Sequence, residues 1–515
     1  MADLHETVLS DDPQALSKAD PAPPCAMVIF GSFGDLTKRL LVPALYNLAL
    51  AGLLDDQFQI RGVDRVEGGD DAFRKEQTDS MESFVKDRGG EFAPKSLDED
   101  KLAWLRDRMT YQPGDFLKPE TYEQIKQWVG DRNAVFYLAV ADRFFGDIVE
   151  RLHAAGLLEP GDKPFRRVVI EKPFGHDLTS ARALNARILK CLTEKQIFRI
   201  DHFLGKETVQ NIMALRFSNG IFEPIWNREH IEYVEITASE TIGVEKRGKF
   251  YEPTGALRDM VPNHMFQLLS MVAMEPPNSF DADAVRSEKA KVVEAIRSLA
   301  DGRLHDAVVR GQYTAGHLRG QDVPAYRAEP DVSPESGTET YIALRFTIDN
   351  WRWAGVPFYI RTGKRMTTRK TEIVVHFRQA PFALFRETPV DRLTPNVMTL
   401  HIQPTEGVSL QFSAKIPGPK VHLGGVTMDM KYSDYFKTGS ATGYETLLYD
   451  VFIGDATLFQ RADNIEAGWC AVQPVLDAVA AGALPVEEYE AGSAGPPDAE
   501  AMLAREGHRW ARLVT

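Results

Sequence analysis

One run constrains the fold more tightly than any other: Ala26-Met-Val-Ile-Phe-Gly31-Ser-Phe-Gly34-Asp-Leu. Five residues that are apolar on both faces make a strand with no solvent side, and such strands belong to parallel sheets covered by helices. Gly31 and Gly34 end the strand, and helical spacing from about Leu36 to Ala51 follows at once. Glycine at such a turn lets the backbone approach a pyrophosphate closely. The helix N-terminus beyond it offers free N–H groups and a positive dipole end. The spacing is G-x-x-G rather than the full G-x-G-x-x-G, so a tight turn without a ligand is a competing reading of this stretch taken alone.

The same pattern recurs downstream. Residues 57–63, 133–139 and 167–171 are further short apolar runs, and helical spacing over 144–155 and 179–193 separates them. Strands of this kind alternating with helices predict an α/β domain on a parallel sheet. The charged segment from about Glu67 to Glu120 has helical stretches but no assignable place in that scheme. Past about residue 228 the pattern changes. Residues 230–240, 340–350, 371–378, 396–403, 408–416 and 426–432 alternate apolar and polar, as half-buried strands of an antiparallel sheet do. Helical stretches at 255–274, 281–299, 444–459 and 464–480 lie between and after them, which predicts α+β for this half.

The chain has 515 residues, enough for two or three domains. Its net charge of −14 supplies no basic face for nucleic acid or an anionic membrane. Three scattered cysteines, Cys25, Cys191 and Cys470, make neither a disulfide framework nor a cysteine zinc site, and they fit a reducing compartment. Residues 1–24 contain no apolar block and read as a flexible tail. The most apolar stretch, 40–54, is interrupted by Pro43, Tyr46 and Asn47, so no bilayer span is expected and the location is expected to be cytoplasmic.

Three clusters carry polar chemistry. Near the expected domain boundary, Arg199-Ile-Asp201-His202-Phe-Leu-Gly-Lys206-Glu207 could grip an anion, orient a base, or be a solvated loop. In Gly255-Ala-Leu-Arg-Asp259-Met-Val-Pro262-Asn-His264, a helical wheel puts His264 on one face with Leu257, Val261 and Leu268, pointing inward. Pro262 cannot donate an N–H, so a kink or helix start is expected there. Lone inward histidines are often core groups, but the polar edge of Asp259 and Asn263 makes a catalytic role equally open. The third cluster is Asp64-Arg65 at the end of the second strand. An acid there suits the ribose 2′-hydroxyl of NAD, and an arginine suits the 2′-phosphate of NADP. Glu171-Lys172, Glu240 and the Arg361-Thr-Gly-Lys364 run stand at further strand ends.

Taken together, the segments GSFGDLTKR, EKPFG, RIDHFLGKE, GALRDMVPNH and GVPFYIRTGK, in this order, resemble the glucose-6-phosphate dehydrogenase family from about Met27 to Trp510. The resemblance implies a Rossmann-like coenzyme domain over 25–200 and an α+β substrate and oligomerisation domain over 201–515 with a large, mainly antiparallel sheet. It implies oxidation of glucose 6-phosphate at C1 with NADP or NAD, no metal, and a homodimer or homotetramer. His264 would be the general base and Asp201 its orienting carboxylate. His202 and Lys206 would hold the 6-phosphate, with Lys364 at the phosphate or sugar. Glu240, Asp259 and Gln403 would bind sugar hydroxyls, and Lys172 would bridge substrate and coenzyme. Gly31, Gly34, Asp35, Leu36 and Arg65 would bind the coenzyme.

This chain departs from the family pattern at several places. Phe203 stands where the family usually has tyrosine, which removes a hydroxyl from the phosphate site, and Leu40 replaces a lysine. Phe33 and Asp64 favour NAD while Arg65 favours NADP, so appreciable use of NAD is expected.

Overall fold

In the computed structural model, which describes residues 19–86, 92–299, 304–385, 390, 393–435 and 442–513, strand β1 (Cys25–Phe30) is buried along its whole length. Strands β2 (Gln59–Asp64), β3 (Met109–Pro113), β4 (Asn133–Leu138), β5 (Arg166–Ile170) and β6 (Ile197–Arg199) join it in a parallel sheet of order β3-β2-β1-β4-β5-β6. That is the strand order of a doubly wound nucleotide-binding fold, in which ligands lie beyond the carboxyl ends of the strands where the order reverses, here between β1 and β4. Gly31 makes the crossing possible. Its φ is +83°, and a Cβ there would sit 2.2 Å from the Ala139 carbonyl oxygen at the end of β4.

The helix after Gly34 is wound differently from the regular one expected. Asp35 and Leu36 open it, Thr37–Leu41 forms a π turn, and an α-helix runs over Val42–Leu50. Pro43 cannot donate to the carbonyl four residues back, and a widened turn before it absorbs the missing bond.

The charged segment finds its place in this first sheet. It folds into helices Asp70–Lys86, Glu99–Asp107 and Pro119–Val129 around β3. Its apolar signal is faint because the long helix buries only Phe73, Gln77 and Met81, a stripe one residue wide at four-residue spacing.

The second half carries a nine-stranded sheet. Its members are β7 (Ile231–Ser239), β8 (Val308–Thr314), β11 (Tyr341–Thr347), β12 (Pro357–Gly363), β13 (Lys370–Phe377), β14 (Val397–Gln403), β15 (Gly407–Lys415), β16 (Leu423–Lys431) and β17 (Val486–Glu490). A small hairpin, β9 (Gly316–Leu318) with β10 (Gln321–Val323), lies apart. The order is β16-β15-β14-β13-β7-β12-β11-β8-β17, antiparallel except for β7–β12 and β8–β17. The expected alternation found six of these strands and missed β8, β12 and β17. All seven residues of β12 are buried, so it has no polar face to alternate with.

Residues 1–18 of the expected tail lie outside the described residues. Its last residues are docked rather than free: Ala22 is 3% exposed and its N–H donates to Leu53 O at 2.9 Å, while Tyr449 donates to Asp20 O at 2.8 Å. Among the described residues no helix is long and apolar enough to cross a membrane.

Candidate active site

Most of the polar residues singled out from the sequence stand at ends of strands. Lys172 follows β5, and Asp201 and His202 follow β6. Lys206 caps the helix Glu207–Phe217, Glu240 follows β7, Lys364 follows β12, and Gln403 ends β14. The loop from Asp201 to Lys206 is pressed against the C-terminal half, where a Cβ on Gly205 would lie 1.9 Å from the Gly443 carbonyl oxygen.

His264 sits on a π turn, Val261–Met265, inserted between helices Gly255–Met260 and Phe266–Ala273. Pro262 lies within that turn and removes one backbone donor, as at Pro43. The wheel expected His264 to point inward, and Leu257, Val261, His264 and Leu268 are each at most 1% exposed. His264 Nδ1 and Asp201 Oδ1 are 2.5 Å apart, across sixty-three positions of chain. The Phe203 N–H donates to the same oxygen at 3.0 Å. Burial alone would raise the Asp201 carboxyl, but the charge and hydrogen bond of His264 override it and hold the group below the usual carboxylate range. Burial lowers His264 itself, and Lys172 adds to that against the pull of Asp201, so the imidazole is neutral at neutral pH. Neutral His202, 4.6 Å away ring to ring, is pushed down further by burial, His264 and Lys172.

Each site lysine already has a partner. Lys172 Nζ lies 2.7 Å from His264 Nε2 and donates to Asp259 Oδ1 at 3.2 Å. Burial would raise Asp259, but Lys172 and Lys364 keep it below the usual carboxylate range. Lys364 Nζ donates to Glu240 Oε2 at 2.5 Å, and Lys206 Nζ to Gln403 Oε1 at 2.9 Å. The structure therefore brings His264, Asp201, His202, Lys172 and Asp259 into one cluster, flanked by the pairs Lys364–Glu240 and Lys206–Gln403. Asp201, His202 and His264 also offer metal-ligand atoms within 4.8 Å of one another. Of those atoms, His264 Nδ1 and Asp201 Oδ1 are engaged with each other at 2.5 Å.

The residues expected to meet the coenzyme form a separate group at β1 and β2. Asp35 and Leu36 begin the helix whose first N–H groups face outward along its axis, as a pyrophosphate requires. Asp64 is held by backbone: Oδ2 accepts from Phe33 N–H at 3.0 Å and Oδ1 from Arg65 N–H at 2.7 Å. Arg65 pairs with Asp115 at 3.1 Å and lies over the rings of Phe116 and Phe144, while Asp35 pairs with Arg39 at 3.6 Å. The glycine cradle and the open helix start fit a dinucleotide.

Other neighbours of the site escaped sequence reasoning. Phe203, registered there only as a lost hydroxyl, stacks on His264 at 4.3 Å and 17°. Thr371 accepts from the Gln403 amide at 3.0 Å. Glu171, singled out in the sequence beside Lys172, is buried and accepts from two residues that were not, Tyr137 and Tyr444, the latter at 3.2 Å, and so ties the end of β5 to the C-terminal half. The tyrosines are distant in sequence and carry no local signal.

Family models described as "Glucose-6-phosphate dehydrogenase, NAD binding domain" and "Glucose-6-phosphate dehydrogenase, C-terminal domain" match residues 28–211 and 213–511. The chain is 44% identical over 492 residues to a glucose-6-phosphate 1-dehydrogenase of Aggregatibacter actinomycetemcomitans, covering 95% of this chain and 97% of that protein. It is 40% identical over 501 residues to the Bacillus subtilis (strain 168) protein of the same name, covering 96% and 99%. A solved glucose-6-phosphate dehydrogenase in complex with its substrate glucose-6-phosphate superimposes with a TM-score of 0.85 at 30% identity, over 96% of this chain and all of that one. A glucose-6-phosphate 1-dehydrogenase from Mycobacterium avium gives 0.80 at 38% identity, over 95% and 99%.

Proposed function

The chain belongs to the glucose-6-phosphate dehydrogenase family, and on that premise we propose how its residues share the work. The protein is an oxidoreductase that oxidises D-glucose 6-phosphate at C1 to 6-phospho-D-glucono-1,5-lactone with NADP or NAD, in this family the entry step of the oxidative pentose phosphate pathway. Bound, the nicotinamide supplies the hydride acceptor. The protein's own task is the proton. C1 becomes a carbonyl carbon only if O1 loses its proton as the C1 hydrogen leaves with its electron pair. His264 Nε2 takes that proton, and Asp201 fixes the tautomer through Nδ1–H and stabilises the imidazolium as it forms. The observation that carries this reading is the 2.5 Å contact between two side chains that are each 1% exposed.

Lys172 occupies Nε2 in the free site and has to yield it to O1. Asp259, already 3.2 Å from the ammonium, is the partner it keeps. His202 and Lys206 hold the 6-phosphate, with Lys364 beside them. Glu240, Asp259 and Gln403 bind sugar hydroxyls, and Lys172 also reaches the coenzyme. Gly31, Gly34, Asp35, Leu36 and Arg65 receive the coenzyme in a domain of residues 25–200, and residues 201–515 form the substrate and assembly domain. The absorbance of reduced nicotinamide, followed with glucose 6-phosphate and then with glucose, tests the reading. A rise with the phosphate ester alone supports it, and none with either sugar overturns it.

Both coenzymes serve, and NAD is used appreciably. Asp64, set by two backbone donors at the end of β2, suits a free ribose hydroxyl, and Arg65 would have to leave Asp115 to meet a 2′-phosphate. A kcat/KM preference for NADP above about a thousandfold would reject this. The assembly is a homodimer or homotetramer through the large sheet, whose edge strand β16 leaves Met428 63% and Val426 39% exposed. Three unpaired cysteines suit a reducing cytoplasm.

A further inference from the structure

The roles assigned so far leave out a buried polar residue in contact with Asp201, Gln460. The Oδ1 atom of Asp201 is already occupied by His264 and Phe203, at 2.5 and 3.0 Å. Among the described residues its Oδ2 has a single hydrogen-bond donor, the Gln460 side-chain amide, at a long 3.4 Å. Gln460 is 5% exposed and fixed by its backbone. Its N–H donates to Arg199 O at 3.1 Å in an antiparallel bridge with the residue two places before Asp201, and the Arg199 guanidinium returns to Gln460 O at 3.4 Å. The amide oxygen Oε1 has no partner among the described residues, so the orientation of the amide answers to Asp201. Turned over, it would set Oε1 against the carboxylate.

The next residue, Arg461, donates to Ser287 Oγ at 3.1 Å and ties this segment to the helix Ala282–Glu294. Two positions on from Ser287, that helix carries Lys289, 2% exposed. Burial pulls the Lys289 ammonium down to about 8, and the charge of Asp201 works against that pull. A cation at neutral pH, Lys289 is thus within electrostatic reach of the orienting carboxylate.

We propose that Gln460 braces the orienting carboxylate from behind, as a positioning residue that acts through Asp201 and sets the pH at which His264 becomes free to accept a proton. The proposal rests on the reading of His264 as the base. A carboxylate that shares its charge with an amide donor has less left for an imidazolium. Removing that donor tightens Asp201 on the protonated ring, so His264 gives up its proton at higher pH. The titratable and charged groups facing His264 are Asp201, His202, Lys172 and Asp259. Asp201 is faced in addition by Lys289, whose own charged neighbour is Arg286.

The test uses Gln460→Leu and Gln460→Met, each of which removes the amide donor. The acid limb of kcat/KM moves up by about half a pH unit in both, with KM for sugar phosphate and coenzyme within about twofold of the starting enzyme. NMR titration of the His264 ring shows the same displacement without turnover, and either variant alone suffices should the other fail to fold. A limb and a ring titration that stay put in Gln460→Leu overturn the proposal. A displaced ring titration in a protein with no dehydrogenase activity upholds the brace and removes the functional reading instead.

Discussion

Replacing Lys172 by methionine separates two things the lysine does. Methionine keeps most of the volume and loses the charge. In the free site the ammonium lies 2.7 Å from His264 Nε2, where it opposes protonation of the ring. Coulomb's law at that separation and an effective dielectric of about 20 gives about 6 kcal/mol between unit charges, or about four pH units as an upper bound. Water entering the vacated space and relaxation of Asp259 reduce this, so a displacement of about one to two units is expected. The sign follows from the charge: without the cation the imidazolium is favoured, the ring titrates higher, and the acid limb of kcat/KM moves toward alkaline pH. Rate is expected to fall at every pH because the contacts to substrate and coenzyme proposed for Lys172 are also lost, and the position of the limb isolates the charge effect. Initial rates from pH 5 to 9, with a parallel NMR titration of the His264 ring, measure it. A limb that stays in place, or moves toward acid, refutes the idea that Lys172 tunes the base.

Two further outcomes follow from the same geometry. His264→Asn is expected to lower kcat by about a thousandfold or more with coenzyme affinity nearly unchanged, measured by steady-state rates and a binding titration; near-normal turnover would take His264 out of its role. Lys206→Ala is expected to raise KM for the sugar phosphate by about tenfold while kcat changes little, since on the proposed assignment it removes a charge from the bound phosphate. An unaltered KM counts against placing the 6-phosphate beside Lys206.

Much of this was legible in the sequence, for reasons that can be named. The β1 strand and its glycine turn announced a parallel sheet because a fully buried strand has to be apolar on both faces. His264 was placed with the apolar residues of its helix and is buried with them, although every residue from Val261 to Ala273 is buried, so no exposed face there tests the wheel. What periodicity could not give was the meeting of Asp201 with His264 or of Lys172 with Asp259, contacts made across the two halves of the chain. The family resemblance supplied the first of these and local spacing neither. Helix Asp70–Lys86 and strand β12 failed in opposite directions, one too polar and the other too uniformly buried to show a period. Phe203 was read by what it lacks, whereas the folded chain uses what it has, a flat ring against the imidazole.

The wide turn at Val261–Met265 bears on how such a site can drift. One residue added to a helical turn advances the phase of everything after it by about 100°. Asp259 lies before that advance and His264 within it, so the angle between the carboxylate that meets Lys172 and the ring that meets Asp201 is written into the winding of the main chain. Losing a single residue from this turn would restore regular winding and swing the ring off its carboxylate, with every reactive side chain still present. A descendant so shortened would keep the spelling of a dehydrogenase and lose its geometry.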